Sequence, residues 1–412
     1  MTQDNGGAHR GRSDTFTEDV SSYTEPWLEM FVPGRIALFG EHTDWSGQFR
    51  RFNSAISVGA TMVVGTNQGL YARCRKQRTS MLLIHSVLPQ NFDTANMNKS
   101  VKSDGYSVVT SSHDGKATMT VPMDIAVLKR IASEGSFFSY VAGTAAKIIQ
   151  DYKVSGIEID ILKCDLPIAK GLSSSAAVCV LVARSFNRVF DLKGTIRFEM
   201  EYAYAGENLT PSRCGRMDQA CAFGRRPVLM NYDADNIDVV ELSVGRPLHY
   251  LIVDLGYPGK STTEILQALQ SAYPFPQNEV ERGAHHLFGE FNLKTVDVAI
   301  AALKAGDAEQ LGKLMTDAQV EFNRLAKPLC PSQLTMPILN SLLAHPRMQC
   351  HIFGGKGVGS QGDGTAQLLC KSKKDCEAVS QIIAEDFPDM TTLPLVLEKN
   401  TGKVRKAVIL AA

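Results

Sequence analysis

The fold of this chain is decided by the stretch Pro167-Ile168-Ala169-Lys170-Gly171-Leu172-Ser173-Ser174-Ser175-Ala176-Ala177, in which small polar residues lead into a buried helix. Before it, residues 156–163 alternate between apolar and acidic side chains, which predicts a strand. After it, residues 178–184 are almost all apolar, which predicts the helix. The first turn of a helix has unpaired N–H groups and the positive end of the dipole, so such a loop can hold a polyphosphate. A plain helix cap with extra serines is the alternative, and no Gly-Lys-Ser/Thr marks a Walker loop.

A second segment reads Pro33-Gly34-Arg35-Ile36-Ala37-Leu38-Phe39-Gly40-Glu41-His42-Thr43-Asp44. Its apolar part predicts a strand that ends at a glycine and delivers Glu41, His42 and Asp44 to one cleft. Carboxylates at such a strand end can accept hydrogen bonds from adjacent hydroxyls, as a sugar requires. A polar turn is the alternative. Arg35 would stabilise transferring phosphoryl oxygens in an anionic site, or is otherwise a solvated charge.

A third segment, Cys214-Gly215-Arg216-Met217-Asp218-Gln219, places one carboxylate among small and apolar residues. Asp218 could there accept a proton from a substrate hydroxyl or orient it for attack. The alternative is an aspartate that caps a helix. Glu207 ends a predicted helix over 199–207 and is either a Mg²⁺ carboxylate or a surface residue.

A fourth segment, Ile352-Phe353-Gly354-Gly355-Lys356-Gly357-Val358-Gly359-Ser360-Gln361-Gly362-Asp363-Gly364, contains six glycines. We interpret them as a structured loop that approaches a ligand closely, rather than as packing residues or a flexible linker. A strand is predicted directly after it, over 365–371.

Composition narrows the class of protein. A length of 412 residues favours two or three packed units. Lys+Arg and Asp+Glu both total 43, so net charge gives no attraction to nucleic acid or a membrane surface. There is no apolar run long enough to span a bilayer and no apolar signal core. Nine cysteines without a CxxC pair fit reduced thiols, so we expect a cytoplasmic protein.

Together the four segments resemble the GHMP kinases, the superfamily of galactokinase, homoserine kinase, mevalonate kinase and phosphomevalonate kinase. The Pro33 segment looks very like the galactokinase signature, and the serine loop is similar to the ATP-phosphate loop of the family. The resemblance implies an α+β fold of two domains with the active site in the cleft between them. The expected divisions are a disordered tail at 1–25, an N-terminal domain at 26–226, a C-terminal domain at 227–400 and a junction at 401–412.

The resemblance also implies an activity: transfer of the γ-phosphate of ATP to a small-molecule hydroxyl, most simply the anomeric C1 hydroxyl of a monosaccharide. Asp218 would be the base and Arg35 would pair with it and with phosphate charge. This reaction needs mainly positioning and charge neutralisation.

The remaining site residues that the resemblance implies fall into three groups. ATP would bind to Lys170, Gly171, Leu172, Ser173, Ser174, Ser175 and Ala176. Mg²⁺ would bind to Ser174, Ser175 and Glu207. The sugar would bind to Glu41, His42, Asp44, Gly355 and Gly357.

Two departures from the family pattern bear on the acceptor. The fourth segment is longer than the Gly-x-Gly-Phe-Gly-Gly usual in galactokinases, so we expect Lys356 and Asp363 to contact substrate or phosphate. Arg50 and Arg51 follow the sugar segment and either favour an acidic sugar such as a uronate or are solvated.

Two other functions stay open on the same fold. One is a kinase for a non-sugar alcohol such as mevalonate, and the other is a non-catalytic sugar sensor. Residues 404–412 form an apolar run that looks like the opening strand of a sugar-1-phosphate nucleotidyltransferase. We therefore expect a kinase that is fused or coupled to such a transferase, with a small-molecule sugar as its other partner.

Overall fold

In this computed structural model the described residues are 25–87, 102–103, 106–109, 116–166, 171–212, 214–400 and 406–407. They form two sheets flanked by helices, which confirms the predicted α+β class. The strands are β1 Leu28–Phe39, β2 Gly59–Lys76, β3 Met81–Val87, β4 Lys102–Ser103, β5 Tyr106–Val109, β6 Lys116–Pro122, β7 Ile157–Cys164, β8 Val228–Asp233, β9 Asn236–Glu241, β10 Leu248–Asp254, β11 Ile352–Gly357, β12 Thr365–Cys370, β13 Thr391–Leu397 and β14 Lys406–Ala407. The helices are α1 Thr43–Ser46, α2 Ile125–Ala132, α3 Phe137–Asp151, α4 Ser174–Val189, α5 Ile196–Glu207, α6 Thr262–Gln270, α7 Glu279–His286, α8 Asn292–Ala305, α9 Ala308–Leu325, α10 Pro331–Leu334, α11 Pro337–Leu343 and α12 Lys373–Asp386.

The larger sheet has the order β14-β9-β8-β2-β7-β3-β6-β5-β4, with β1 paired to β2, and the smaller one has the order β11-β12-β10-β13. The predicted strand before the serine loop is β7, and the predicted buried helix after it is α4. The pairing of β8 and β9 with β2 extends the larger sheet past the predicted domain boundary at residue 226. That boundary stays a prediction, and a division between the two sheets would instead fall between β9 and β10.

One strand was predicted wrongly as two. The sequence Asn67-Gln68-Gly69 predicts a turn between strands over 55–66 and 70–76, yet β2 is continuous because β1 pairs with it on both sides of this point. Arg35 lies opposite Gly65 and Pro33 lies opposite Gly69, so a register shift accommodates residues 66–68. A methyl group at Gly69 would come within 2.4 Å of the carbonyl oxygen of Val32. Pairing with β1 therefore outweighs the local turn preference.

The glycine-rich fourth segment is only partly a loop. Its first half is β11, and a methyl group at Gly354 would lie 2.0 Å from the carbonyl oxygen of Gly312 on α9. Gly354 and Gly312 thus let a strand and a helix touch through their backbones. The interpretation that none of these glycines serves packing is therefore wrong for Gly354, and the irregular loop is confined to residues 358–364.

Three buried polar contacts join the smaller sheet and its helices to the end of β1 and the start of β2. Lys356 on β11 forms an ion pair with Glu41. The Gln367 side-chain amide on β12 donates to the carbonyl oxygen of Ala37 at 2.9 Å. The Asn292 amide on α8 donates to the carbonyl oxygen of Ala60 at 2.9 Å. The two sheets are therefore fixed against each other at this edge.

Several predictions fall wholly or partly outside the described residues. These are the N-terminal tail, residues 167–170 of the serine loop, the junction at 401–412, and most of residues 89–117, whose polar and irregular sequence predicts an insertion or long loop. Within the insertion β4 and β5 are described, and within the junction β14 pairs with β9. No helix in the part of the chain that the structure describes is long and apolar enough to cross a membrane.

Candidate active site

The centre of the site is the carboxylate of Asp218. It begins a short 3-10 helix over Asp218–Phe223, and its side chain is 21% exposed. The guanidinium of Arg35 on β1 donates to its Oδ1, and Ser173 Oγ donates to the same oxygen at 2.9 Å. Arg35 also donates to the carbonyl oxygen of Gly171 at 2.8 Å. The serine loop, β1 and the Asp218 helix therefore converge, as the sequence predicted.

The serine loop presents its backbone at the start of α4. Ser173, which precedes the helix, has φ of 56° and ψ of 48°, and Gly171 has φ of 73°. Leaving aside its chain neighbours, no atom of the described residues lies within 4 Å of the position that a methyl group at Gly171 would take, so this side of the backbone is open toward a ligand. The loop that follows β11 borders this space, because a methyl group at Gly359 would lie 3.8 Å from the Cα of Gly171. This is the arrangement that a phosphate chain requires.

Glu207, at the end of α5, faces the first turn of α4. Ser175 Oγ donates to Glu207 Oε1 at 2.6 Å, and the Gln219 side-chain amide donates to Glu207 Oε2 at 3.1 Å. A hydroxyl and a carboxylate beside a phosphate loop fit Mg²⁺, which binds proteins through one or two such groups and takes its other ligands from phosphate and water. Ser174 makes no hydrogen bond with Glu207 or Asp218 within the described ranges. Gln219 was not predicted, although it directly follows Asp218.

Asp44 completes a group of three neighbouring carboxylates. The backbone N–H of Met217 donates to Asp44 Oδ2 at 3.4 Å, and a methyl group at Gly215 would collide with the same oxygen. Burial, with the added charge of Asp218, raises the pKa of Asp44 to about 6. The same two causes raise the pKa of Glu207 to about 7. The site is therefore short of positive charge, which a bound cation would supply.

We expect Glu207→Gln to change how stability depends on pH. The pKa of Glu207 rises from 4.5 to about 7 on folding. Its contribution to stability is therefore complete below about pH 4.5 and is lost as the pH rises through 7. Relative to the unsubstituted protein, the variant should gain about 3 kcal/mol in free energy of unfolding between about pH 4.5 and about pH 8.

Urea unfolding of both proteins at a series of pH values measures this difference in free energy of unfolding. The contributions of the other titrating groups are common to both proteins, so they cancel in the difference. Glu377→Gln, at an exposed position on α12, is the matched control and should leave the pH dependence unchanged. A pH-independent difference between Glu207→Gln and the unsubstituted protein would contradict the raised pKa.

The other two residues of this segment that were predicted to bind the sugar are Glu41 and His42, which precede Asp44. Glu41 pairs with Lys356, and both side chains are almost fully buried. His42 Nδ1 accepts from Trp45 Nε1 at 3.2 Å, and its ring stacks on Phe322 at 5.9 Å. Burial lowers the pKa of His42 to about 3, so its ring is neutral. A cavity of about 40 Å³ opens beside Glu41 and Lys356.

Some predicted residues do not join the Asp218 group. A methyl group at Gly355 would meet the side chains of Leu343 and Leu368, and the Gly357 N–H donates to Gln319 Oε1 at 2.6 Å. Their role as substrate contacts stays a prediction. Asp363 accepts from the backbone N–H of Leu339 at 2.8 Å, so it caps α11.

The two arginines after the sugar segment have partners of their own. Arg50 pairs with Asp233 at 2.6 Å, and Arg51 pairs with Asp235 at 3.3 Å. Both aspartates lie at the turn between β8 and β9. The arginines therefore give no support for an acidic sugar.

Comparison with known proteins agrees with this geometry. A family model described as the GHMP kinases N terminal domain matches residues 139–225, and one described as the galactokinase galactose-binding signature matches residues 14–66. The chain is 23% identical to a galactokinase of Pasteurella multocida over 404 residues, which cover 89% of this chain and 91% of that protein.

Two solved structures have a similar fold. The galactokinase of Lactococcus lactis complexed with galactose superposes with a TM-score of 0.65 at 19% identity, over 92% of this chain and 95% of that one. The mevalonate kinase of L. major in complex with R-mevalonate superposes with a TM-score of 0.60 at 15% identity, over 92% and 98%.

Proposed function

Because this chain belongs to the GHMP kinases and is galactokinase-like, we propose that it transfers the γ-phosphate of ATP to the anomeric C1 hydroxyl of a monosaccharide. The product is a sugar 1-phosphate. The observation that supports this most directly is the Asp218 carboxylate, held by Arg35 and Ser173 at the mouth of the serine loop. A hydroxyl placed at this carboxylate faces the position of a terminal phosphate.

Each residue has a distinct task in this reaction. Asp218 orients the acceptor hydroxyl and takes its proton as the new bond to phosphorus forms. Arg35 pairs with Asp218 and stabilises negative charge on the transferring group. Asp44, which neighbours Asp218 through Met217, binds a sugar hydroxyl, and Glu41 and His42 shape the remote part of the acceptor site.

The nucleotide occupies the serine loop in this proposal. Backbone N–H groups at the start of α4 and the hydroxyls of Ser173 and Ser175 bind the phosphates, and the open side of Gly171 admits them. Ser175 and Glu207 would hold Mg²⁺, which would neutralise charge on the phosphate chain. Lys170, which lies outside the described residues, stays a predicted contact of ATP.

The test is ADP release over a panel of acceptors, with ATP and Mg²⁺ present. We expect turnover with at least one free monosaccharide and none with its methyl glycoside, because the glycoside has no C1 hydroxyl. Phosphorus NMR of the product should give a phosphate on the anomeric carbon. Mevalonate and homoserine are included as non-sugar acceptors.

Two outcomes would contradict the proposal at different levels. Equal turnover of the sugar and its methyl glycoside would refute C1 as the acceptor position. Turnover of mevalonate or homoserine alone would refute a sugar as the acceptor, but it would still support an ATP-dependent kinase. An assay without any acceptor corrects for ATP hydrolysis by water.

A further inference from the structure

The carboxylate of Glu207 is held by a buried amide, that of Gln219. Nε2 of Gln219 donates to Glu207 Oε2 at 3.1 Å and to Cys214 Sγ at 3.2 Å. The other oxygen of Glu207, Oε1, accepts from the hydroxyl of Ser175 at 2.6 Å. Glu207 and Gln219 are both only 1% exposed, so bulk water does not compete for these contacts. Each oxygen of Glu207 therefore has its own donor.

The orientation of the Gln219 amide follows from its neighbours. An amide side chain has donors on its nitrogen and an acceptor on its oxygen. With the nitrogen turned toward Glu207, the donors meet a carboxylate oxygen and the sulfur of Cys214. In the reverse orientation Oε1 of Gln219 would face a carboxylate oxygen, and two acceptors would be buried against each other. Gln219 is therefore a fixed donor to Glu207.

Gln219 also connects the candidate metal carboxylate with the reacting carboxylate. It directly follows Asp218 on the same 3-10 helix. Ser173 donates to Asp218 at 2.9 Å, and Ser175, two residues later, donates to Glu207. The serine loop, Asp218, Gln219 and Glu207 thus form a closed circuit. Glu207 keeps its position relative to the loop only while both of its donors are in place.

One atom of Gln219 indicates that a donor from outside the chain lies nearby. Its Oε1 is buried and has no hydrogen-bond partner among the described residues. A buried acceptor of this kind calls for a donor such as a bound water. Mg²⁺ usually keeps several waters when it binds to a protein, and each of them can donate a hydrogen bond. Gln219 is therefore suited to the surroundings of a hydrated cation.

The partners of a metal-binding carboxylate contribute to the affinity for the metal. They orient the carboxylate so that one oxygen stays available to the ion, and their loss typically costs about 10- to 100-fold in metal affinity or activity. Without Gln219, Glu207 would be held by Ser175 through Oε1 and would lose its donor on Oε2.

We propose that Gln219 is a positioning residue for Mg²⁺, which holds Glu207 in the orientation that binds the ion and thereby sets the affinity for the Mg²⁺ complex of ATP. Gln219 acts through Glu207 and takes no part in proton transfer at Asp218. This inference rests on the nucleotide and Mg²⁺ site of the proposed function, and it does not depend on which sugar is the acceptor.

The first test measures binding without turnover. The probe is the β,γ-imido analogue of ATP, titrated by calorimetry once with excess MgCl₂ and once with EDTA. In Gln219→Met the Mg²⁺ complex should bind about 10- to 100-fold more weakly than to the unsubstituted protein. The metal-free nucleotide should bind within about threefold of its normal affinity, because the serine loop is intact. Equal weakening of both forms would instead show a deformed loop and refute the proposal.

Steady-state kinetics give a second signature. In Gln219→Met we expect KM for the Mg²⁺ complex of ATP to rise about 10- to 100-fold, while kcat at saturation and KM for the sugar stay within about threefold. Damage to Asp218, the neighbouring residue, would lower kcat at every concentration of the complex. A loss confined to kcat would therefore contradict a role through the metal.

Three further variants support the assignment. Gln219→Asn keeps the amide but is one methylene too short to reach Glu207, so it should weaken the Mg²⁺ complex in the same sense. In the Glu207→Gln background, adding Gln219→Met should change binding of the complex by less than about threefold, because the residue it acts through is already lost. Gln381→Met is the matched control, since Gln381 donates to Glu385 at 3.0 Å on the exposed face of α12, and it should behave normally.

The outcomes separate this inference from the proposed function. Weakened binding of the Mg²⁺ complex in Gln219→Met, with no turnover of any sugar by the unsubstituted protein, would refute the sugar kinase and support the role of Gln219. Sugar turnover with unchanged binding in Gln219→Met would refute the role of Gln219 alone. Equal affinity of the unsubstituted protein for the nucleotide with and without Mg²⁺ would refute the metal site and this inference with it.

Discussion

Asp218→Asn is expected to lower kcat by about 10²- to 10⁴-fold while ATP still binds. Asparagine has the size of aspartate, and its amide oxygen can still accept from Arg35 and Ser173, so the local fold should survive. It cannot accept the proton of the acceptor hydroxyl. The loss should therefore appear in the chemical step and not in the binding of the nucleotide.

Steady-state kinetics and calorimetric titration with ATP separate the two effects. Asp317→Asn, at an exposed position on α9, is the control and should turn over normally. A rate for Asp218→Asn within about threefold of the unsubstituted protein would exclude a general base, since such a base contributes at least about 10²-fold.

Arg35→Met is expected to lower kcat/KM by about 10²- to 10³-fold, the usual effect of removing one donor that stabilises transition-state charge. Arg35 bridges the carbonyl oxygen of Gly171 and the carboxylate of Asp218 with two nitrogens of one guanidinium. Arg35→Lys should recover only part of the rate, because a single ammonium does not reproduce this planar fork.

Removing a buried arginine also affects stability, so a second variant is needed to isolate the chemical effect. Arg75 on β2 is half-buried and pairs with Glu158 on β7 at 2.8 Å, and it makes no hydrogen bond with the serine loop or the Asp218 helix within the described ranges. Arg75→Met should lower the melting temperature, while the folded fraction keeps its kcat. If both variants lost the same activity per folded molecule, the role of Arg35 in the reaction would be refuted.

The sequence was sufficient to predict which segments form the candidate site around the serine loop, because local patterns encode them. A strand, a small-residue loop and an apolar helix follow one another within 156–184. The order of these three elements along the sequence is therefore enough to predict where the serine loop lies. Asp218 and Arg35 each lie in a short segment with a strong resemblance to a family. The structure adds that Ser173 and Arg35 reach the same oxygen of Asp218.

Contacts between distant segments could not be predicted in this way. Lys356 and Glu41 are 315 residues apart, and nothing in either segment specifies the other as its partner. The same holds for Gly312 and Gly354, whose lack of side chains makes sense only when α9 and β11 are seen to touch. The turn predicted at 67–69 is absent for a similar reason, since β1, which lies far from it in sequence, pairs with β2 on both sides of this segment.

The polar contacts between the sheets have a consequence for how the molecule unfolds. One apolar core contains side chains from both sheets, among them Val32 on β1, Tyr250 on β10 and Leu369 on β12. If the smaller sheet were lost, Glu41 would lose Lys356, the carbonyl oxygen of Ala37 would lose the Gln367 amide, and part of that core would be exposed to water. We therefore expect the two regions that the sequence suggested as separate domains to unfold together rather than in two independent steps.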